Sequence, residues 1–137
     1  MVSKCPFRIV ARCSALAGSL VALLSLPTVA RANIINECLQ LQQPAAAVHA
    51  CSRLIEMSPD NAALYNRRGI AHMRNRQIEE AIADYSASIR IDPATVSAYY
   101  NRGRALLDRQ AYTNALEDFT IAIGRQPDDA LAYNGRA

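Results

Sequence analysis

Two patterns of hydrophobic positions divide the chain. From Ser14 to Ala30 no residue is charged, and Leu, Ala and Val dominate. Downstream, apolar residues return at helical spacing. Within residues 78–91, Ile78, Ala81, Ile82, Tyr85 and Ile89 form one stripe at intervals of three and four, the mark of a helix with a single buried face. The same reading predicts helices over 62–75, 96–109 and 112–125. Pro93 and Pro127 end the second helix of each pair, because proline disfavours helical geometry in the residue before it. Asp60 and Asn61 offer caps for the helix that starts at 62. Gly69 and Ala81 are small where two helices must approach. Glycine inside a helix costs up to about 1 kcal/mol relative to alanine, so close packing is the reason for Gly69.

The stripes recur at a fixed offset. Pro59, Pro93 and Pro127 are 34 apart, as are Tyr65, Tyr99 and Tyr133. Gly69 meets Gly103, Ala81 meets Ala115, Tyr85 meets Phe119 and Ile89 meets Ile123 at the same period. Tyr-Asn-Arg-Arg-Gly at 65–69 is nearly copied by Tyr-Tyr-Asn-Arg-Gly at 99–103, and Tyr-Asn-Gly-Arg-Ala at 133–137 begins a third copy. This chain resembles the tetratricopeptide repeat family, strongly over 60–137. The 34-residue period, the Tyr-x-x-x-Gly of each first helix, the Ala-x-x-x-Tyr/Phe of each second helix and the closing proline all match. The resemblance implies an all-α fold, a short right-handed solenoid of antiparallel helix hairpins with a concave binding face.

A degenerate copy lies upstream, because Ala47, Cys51, Leu54, Ile55 and Pro59 precede Ala81, Tyr85, Ser88, Ile89 and Pro93 by 34 residues. It predicts a second helix over 45–57 and a short partner near 33–41. The expected division is a signal peptide at 1–32, a degenerate hairpin at 33–61, repeats at 62–95 and 96–129, and a truncated first helix at 130–137. Three departures from the family pattern bear on the C-terminal end. Arg125 stands where the earlier repeat has Ile91, Ala137 stands where Gly69 and Gly103 recur, and no polar closing helix follows. Exposed apolar surface there predicts weak self-association through that end.

Charge sharpens this division. The chain has 15 basic and 12 acidic residues. Lys4, Arg8, Arg12 and Arg31 fall in the first 32 residues, which hold no acid, leaving 11 bases (15 − 4) against 12 acids. A net charge near −1 gives no electrostatic case for nucleic acid. The basic front, the apolar run and Ala30-Arg31-Ala32 read as an export signal cut after Ala32. The run is shorter than the roughly 20 residues that span a bilayer, and Pro27 interrupts it. No membrane attachment is expected after cleavage, and an uncleaved anchor is the alternative. An oxidising compartment makes Cys38 and Cys51 a disulfide candidate. Two free buried thiols are one alternative. A zinc set with His49 and His72 is another, without any tight ligand pair such as Cys-x-x-Cys. Ala-Cys-Ser-Arg-Leu-Ile at 50–55, with an upstream cysteine, is similar to exported bacterial members of the family, which implies the periplasm or cell envelope of a bacterium.

No catalytic constellation is visible, and neither a cofactor nor a metal is expected. His72 reads as packing. Glu79-Glu80 and Asp128-Asp129 sit at helix starts, where the helix dipole favours acids. By the resemblance, the first helices line a groove for a protein or peptide. Asn66, Ile70, Met73 and Arg74 face it from one helix, Tyr100, Arg104, Leu107 and Asp108 from the next, and Asn134 from a third. Tyr100 and Arg104 are expected to dominate, with Asn66, Tyr100 and Asn134 stacked as a ladder. The family's chaperone-binding members clamp a terminal carboxylate with basic residues. Only Asn101 matches that clamp here, so it is not expected. Antiparallel pairing about a turn at 76–77 predicts Arg68 beside Asp84, and Arg102 beside Asp118 one repeat later. The expected function is a non-enzymatic adaptor or scaffold, and the alternative is a repeat fragment that mainly self-associates.

Overall fold

The computed structural model describes residues 28–126 and Gly135. The expected signal segment up to residue 27 and Asn134 lie outside the described residues. Among the described residues there are six helices and no strand. They are α1 (Thr28–Leu39), α2 (Pro44–Met57), α3 (Ala62–Arg74), α4 (Ile78–Ile91), α5 (Val96–Asp108) and α6 (Tyr112–Arg125). None is long and apolar enough to cross a membrane. They pack as hairpins α1–α2, α3–α4 and α5–α6, and each hairpin stacks on the next through α2–α3 and α4–α5. The first helices also touch in series, α1 with α3 and α3 with α5, and so form a common layer. The result is an all-α solenoid of the expected kind.

Helix α1 starts at Thr28, upstream of the expected 33, and stops at Leu39. No proline or glycine interrupts that stretch, and Pro44 takes the first position of α2, where its missing N–H is no loss. The expected cleavage point after Ala32 therefore falls inside α1. Its buried residues, Ile34 and Cys38, lie beyond that point.

Each later hairpin closes around one aromatic ring. A Cβ at Gly69 would stand 2.6 Å from the Tyr85 ring, and one at Gly103 would stand 3.0 Å from the Phe119 ring. Ala81 and Ala115 are fully buried beside these rings. In the first hairpin Cys38 and Cys51 take the places of His72/Tyr85 and Leu106/Phe119, and their Sγ atoms stand 2.03 Å apart, at disulfide distance. The turns after α3 and α5 place Arg76 and Gln110 at φ 59° and 64°. These left-handed residues let Gln77 N–H reach the His72 carbonyl at 2.9 Å and Ala111 N–H reach that of Leu106 at 2.8 Å.

A repeated polar lock fixes the stack. Arg68 donates through Nε and Nη2 to both Asp84 oxygens at 2.7 and 2.6 Å, and through Nη1 to Ser52 Oγ at 3.0 Å. Arg102 does the same with Asp118 at 2.7 Å twice and Ser86 at 3.1 Å. The carboxylates raise both guanidinium pKa values above normal. Both Arg–Asp pairs are as expected from sequence. The serines belong to the preceding hairpin, so each arginine also joins two repeats. Arg125, the departure noted above, lies over the Tyr99 ring at 5.1 Å and donates to the Pro93 carbonyl. At the C-terminal end Phe119 and Ile123 are buried, whereas Leu116 is 49% exposed.

Candidate functional site

The layer of first helices carries a cleft of about 390 Å³. Ile70, Met73 and Arg74 enter it from α3, and Asn101, Arg104 and Asp108 from α5, with Tyr85 of α4 between them. Residues 66, 70 and 73 fall on one helical stripe, next to the stripe 65, 68, 69 and 72 that faces α4 and the preceding hairpin. The α3 groove residues therefore share a face because the neighbouring stripe is committed to packing.

The cleft is amphipathic. Ile70 and Met73 pack against the Ala81–Tyr85–Ala105 cluster and present apolar surface. Arg74 donates to the Leu41 carbonyl at 3.2 Å, which ties α3 to the end of the first hairpin. Burial raises the Tyr85 phenol's pKa strongly, against a smaller opposite pull from Arg104, so the phenol stays protonated. Two arginines against Asp108 leave the cleft with a positive balance.

Five of the residues expected in the groove meet here: Ile70, Met73, Arg74, Arg104 and Asp108. Tyr100 is placed elsewhere. Its ring packs on Phe119 at 5.8 Å between centroids and 60° between planes. Leu107 is half-buried against the same Phe119 cluster. Asn66 lines a broader cleft of about 970 Å³ between the interhelix loops, with Asp92, Thr95 and Ser97. Its amide is engaged internally, donating to Ser97 Oγ at 3.2 Å and accepting from Asn101 Nδ2 at 3.0 Å. Asn66 thus meets residues 97 and 101, and the ladder through Asn134 lies outside the described residues.

Tyr85 and Asn101 join the cleft without having been expected there. Asn101 carried a signal as the single match to the family's clamp. Tyr85 carried none, because its stripe marks it as a core ring, and it serves both roles. His72 is buried, 3.0 Å from Gln77 Oε1 through Nδ1 and 3.6 Å from Asp84 Oδ2 through Nε2. That is a packed, satisfied imidazole whose carboxylate neighbour is already held by Arg68.

The pattern of the family described as "Tetratricopeptide repeat" matches residues 35–96 and again 68–130. The fold is also similar to solved structures. The Arabidopsis OM64 TPR domain aligns at TM-score 0.73 and 24% identity, over 78% of this chain and 91% of that one. The first TPR of Spaghetti (RPAP3), bound to the HSP90 peptide SRMEEVD, aligns at 0.70 and 18%, over 87% and 88%. The TPR2B domain of yeast Sti1, in a pHsp70 complex, aligns at 0.69 and 25%, over 79% and 97%.

Proposed function

The chain belongs to the tetratricopeptide repeat family, and from that premise we propose that it is a protein-interaction module of the bacterial periplasm or cell envelope, binding a peptide or protein segment along its first helices. The observation that carries the reading is the convergence of Ile70, Met73 and Arg74 with Asn101, Arg104 and Asp108 in one cleft. Two consecutive repeats fix the backbone positions of these residues, so no loop has to be ordered when a ligand arrives. The chemistry suits a ligand that brings apolar side chains to Ile70 and Met73 and acidic groups to Arg104. The peptides held by RPAP3 and Sti1 relatives support a peptide as ligand class. We assign no catalysis: the cleft residues include no nucleophile beside a base, and burial pushes the Tyr85 phenol's pKa up.

Export rests on the basic and apolar N-terminal pattern, and Cys38–Cys51 fits an oxidising compartment. Intact mass of the exported protein tests cleavage after Ala32, and non-reducing peptide mapping tests the bridge. For binding, partners are co-purified from the native envelope. Arg104→Ala and Met73→Ala should each weaken the complex by more than about 1 kcal/mol with helicity unchanged, whereas Arg90→Ala on α4 should be neutral. Equal affinity for all three variants defeats the cleft. A second reading is favoured by one observation: Tyr112, Leu116 and Ile121 leave exposed apolar surface on α6. Sedimentation that shows concentration-dependent dimers, with no partner captured, selects self-association instead.

A further inference from the structure

The first hairpin lacks the ring that fills the later two. Register 34 aligns Cys51 with Tyr85 and Phe119, and Ile35 with Gly69 and Gly103. In the later hairpins the ring lies hard against the glycine. In the first hairpin a small sulfur replaces the ring. Leu54 and Leu64 stand where the next repeat has Ser88 and Ala98. Ser88 and Ala98 are fully buried, whereas Leu54 and Leu64 are half-buried against the disulfide cluster. Beside the disulfide, between α1, α2 and α3, lies a pocket of about 370 Å³, lined by Cys38 and by Ile35, Leu39, Leu54 and Leu64.

Three features point to its occupant. Its volume falls within the range of small-ligand and side-chain pockets. It shares Asn61 and Ala63 with the cleft that holds Asn66, so it adjoins the broad cleft between the interhelix loops. Arg67 stands at its wall and makes no ion pair among the described residues. Ile35 and Leu39, one helical turn apart on α1, are 45% and 51% exposed at its edge.

We propose that this pocket takes an aromatic side chain of the bound peptide, with a carboxylate next to it on Arg67. The ligand would add a ring beside the small disulfide core of the first hairpin. The proposal rests on the groove reading above and adds a specificity element to its N-terminal end. A free cation beside an apolar pocket selects an acidic–aromatic pair over an aromatic residue flanked by lysine.

The test uses the full oxidised chain and N-acetyl-phenylalanine, which carries both a ring and a carboxylate. Methyl NMR signals of Ile35, Leu54 and Leu64 should shift saturably, with Kd on the order of 1 mM for a ligand of this size. N-acetyl-phenylalanine amide should bind about threefold more weakly, and Arg67→Ala should abolish that difference. N-acetyl-alanine should produce no saturable shift. Leu39→Lys, at an exposed position, should remove binding while leaving the circular dichroism unchanged. If that variant unfolds, Arg67→Ala still decides.

Absence of saturable shifts at those methyls overturns the proposal, as does a response confined to Met73 and Arg104. Shifts that grow with protein concentration alone make a second copy the occupant and also overturn it. The two readings fail separately. Loss of partner binding in Arg104→Ala without probe binding at Leu54 sinks only the pocket. Probe binding at Leu54 with an unaffected Arg104→Ala complex sinks only the cleft.

Discussion

Arg102→Ala should destabilise the chain by about 2–3 kcal/mol. Asp118 is 3% exposed and Arg102 24% exposed. The change removes two charge-assisted hydrogen bonds to Asp118 and one to Ser86. Breaking a fully buried ion pair by deleting one partner costs about 3–5 kcal/mol, because a charge is left without compensation. The arginine is a quarter exposed, so water enters the vacated space and the cost falls toward the lower end. Loss of the guanidinium over Tyr99, at 5.9 Å, adds roughly 0.5 kcal/mol. In a domain of about 100 residues this lowers Tm by on the order of 10 °C.

The paired lock supplies an internal comparison. Asp84 has a second neighbour, His72 Nε2 at 3.6 Å, whereas Leu106 occupies that place beside Asp118. Arg68→Ala should therefore cost less than Arg102→Ala. Urea midpoints of the two arginine variants test this order, and those of Arg102→Ala, Asp118→Ala and the double variant, read as a double-mutant cycle, measure the coupling. A change below about 0.5 kcal/mol for Arg102→Ala, the scale of an ordinary surface substitution, refutes the lock.

Four further outcomes follow from local geometry. Gly103→Ala should destabilise by about 1–2 kcal/mol, since its Cβ meets the buried Phe119 ring at 3.0 Å and overpacking outweighs the helix propensity gained. Gly124→Ala should stabilise by up to about 1 kcal/mol, because nothing lies within 4 Å; thermal melts of the pair should move in opposite directions. Gln110→Gly should stabilise by about 0.5–1 kcal/mol, as a left-handed φ of 64° strains a side chain and not glycine; an unchanged or lower urea midpoint counts against this. Asp92 is held below the usual carboxylate range by hydrogen bonds from Thr95 Oγ1 and Ala94 N–H. Its contribution is present above the ordinary carboxylate pKa and is lost as pH falls through the lowered one. Carbon-13 titration should show the depressed midpoint, and Thr95→Val should raise it.

The 34-residue period made the hairpins legible before any coordinates, because each repeat must place its small and large residues at matching heights for the helices to pack. The Arg68–Asp84 and Arg102–Asp118 pairs were legible for the same reason: antiparallel helices joined by a short turn fix which residues lie opposite. Ser52 and Ser86 were not, because their contacts depend on how one hairpin stacks on the next. Tyr100 shows the limit on the site itself. Its repeated register places it on the first-helix face, yet its half-buried ring rests on the neighbouring Phe119 and not in the cleft. Helix α1 begins at Thr28 and not near 33 because no proline or glycine interrupts 28–32, and the sequence repeat that set the expected start does not reach those residues.

The packing residues and the cleft residues proposed for recognition occupy adjacent stripes of the same helices, and this makes the two roles separable. On α5, Tyr99, Arg102, Gly103 and Leu106 face the partner helix and the preceding hairpin, while Arg104 and Asp108 lie in the cleft. Arg104 makes no ion pair among the described residues, so its removal leaves no buried charge behind. Arg104→Ala should then leave the urea midpoint within about 0.5 kcal/mol of the parent while weakening the captured partner. Arg102→Ala, two positions away, should lower the midpoint and leave the affinity of the molecules that remain folded unchanged. Measuring both quantities on both variants gives a crossed pattern that neither a purely structural nor a purely solvated Arg104 produces. If Arg104→Ala lowers stability as much as Arg102→Ala does, the two stripes are not independent, and the cleft is part of the core rather than a site.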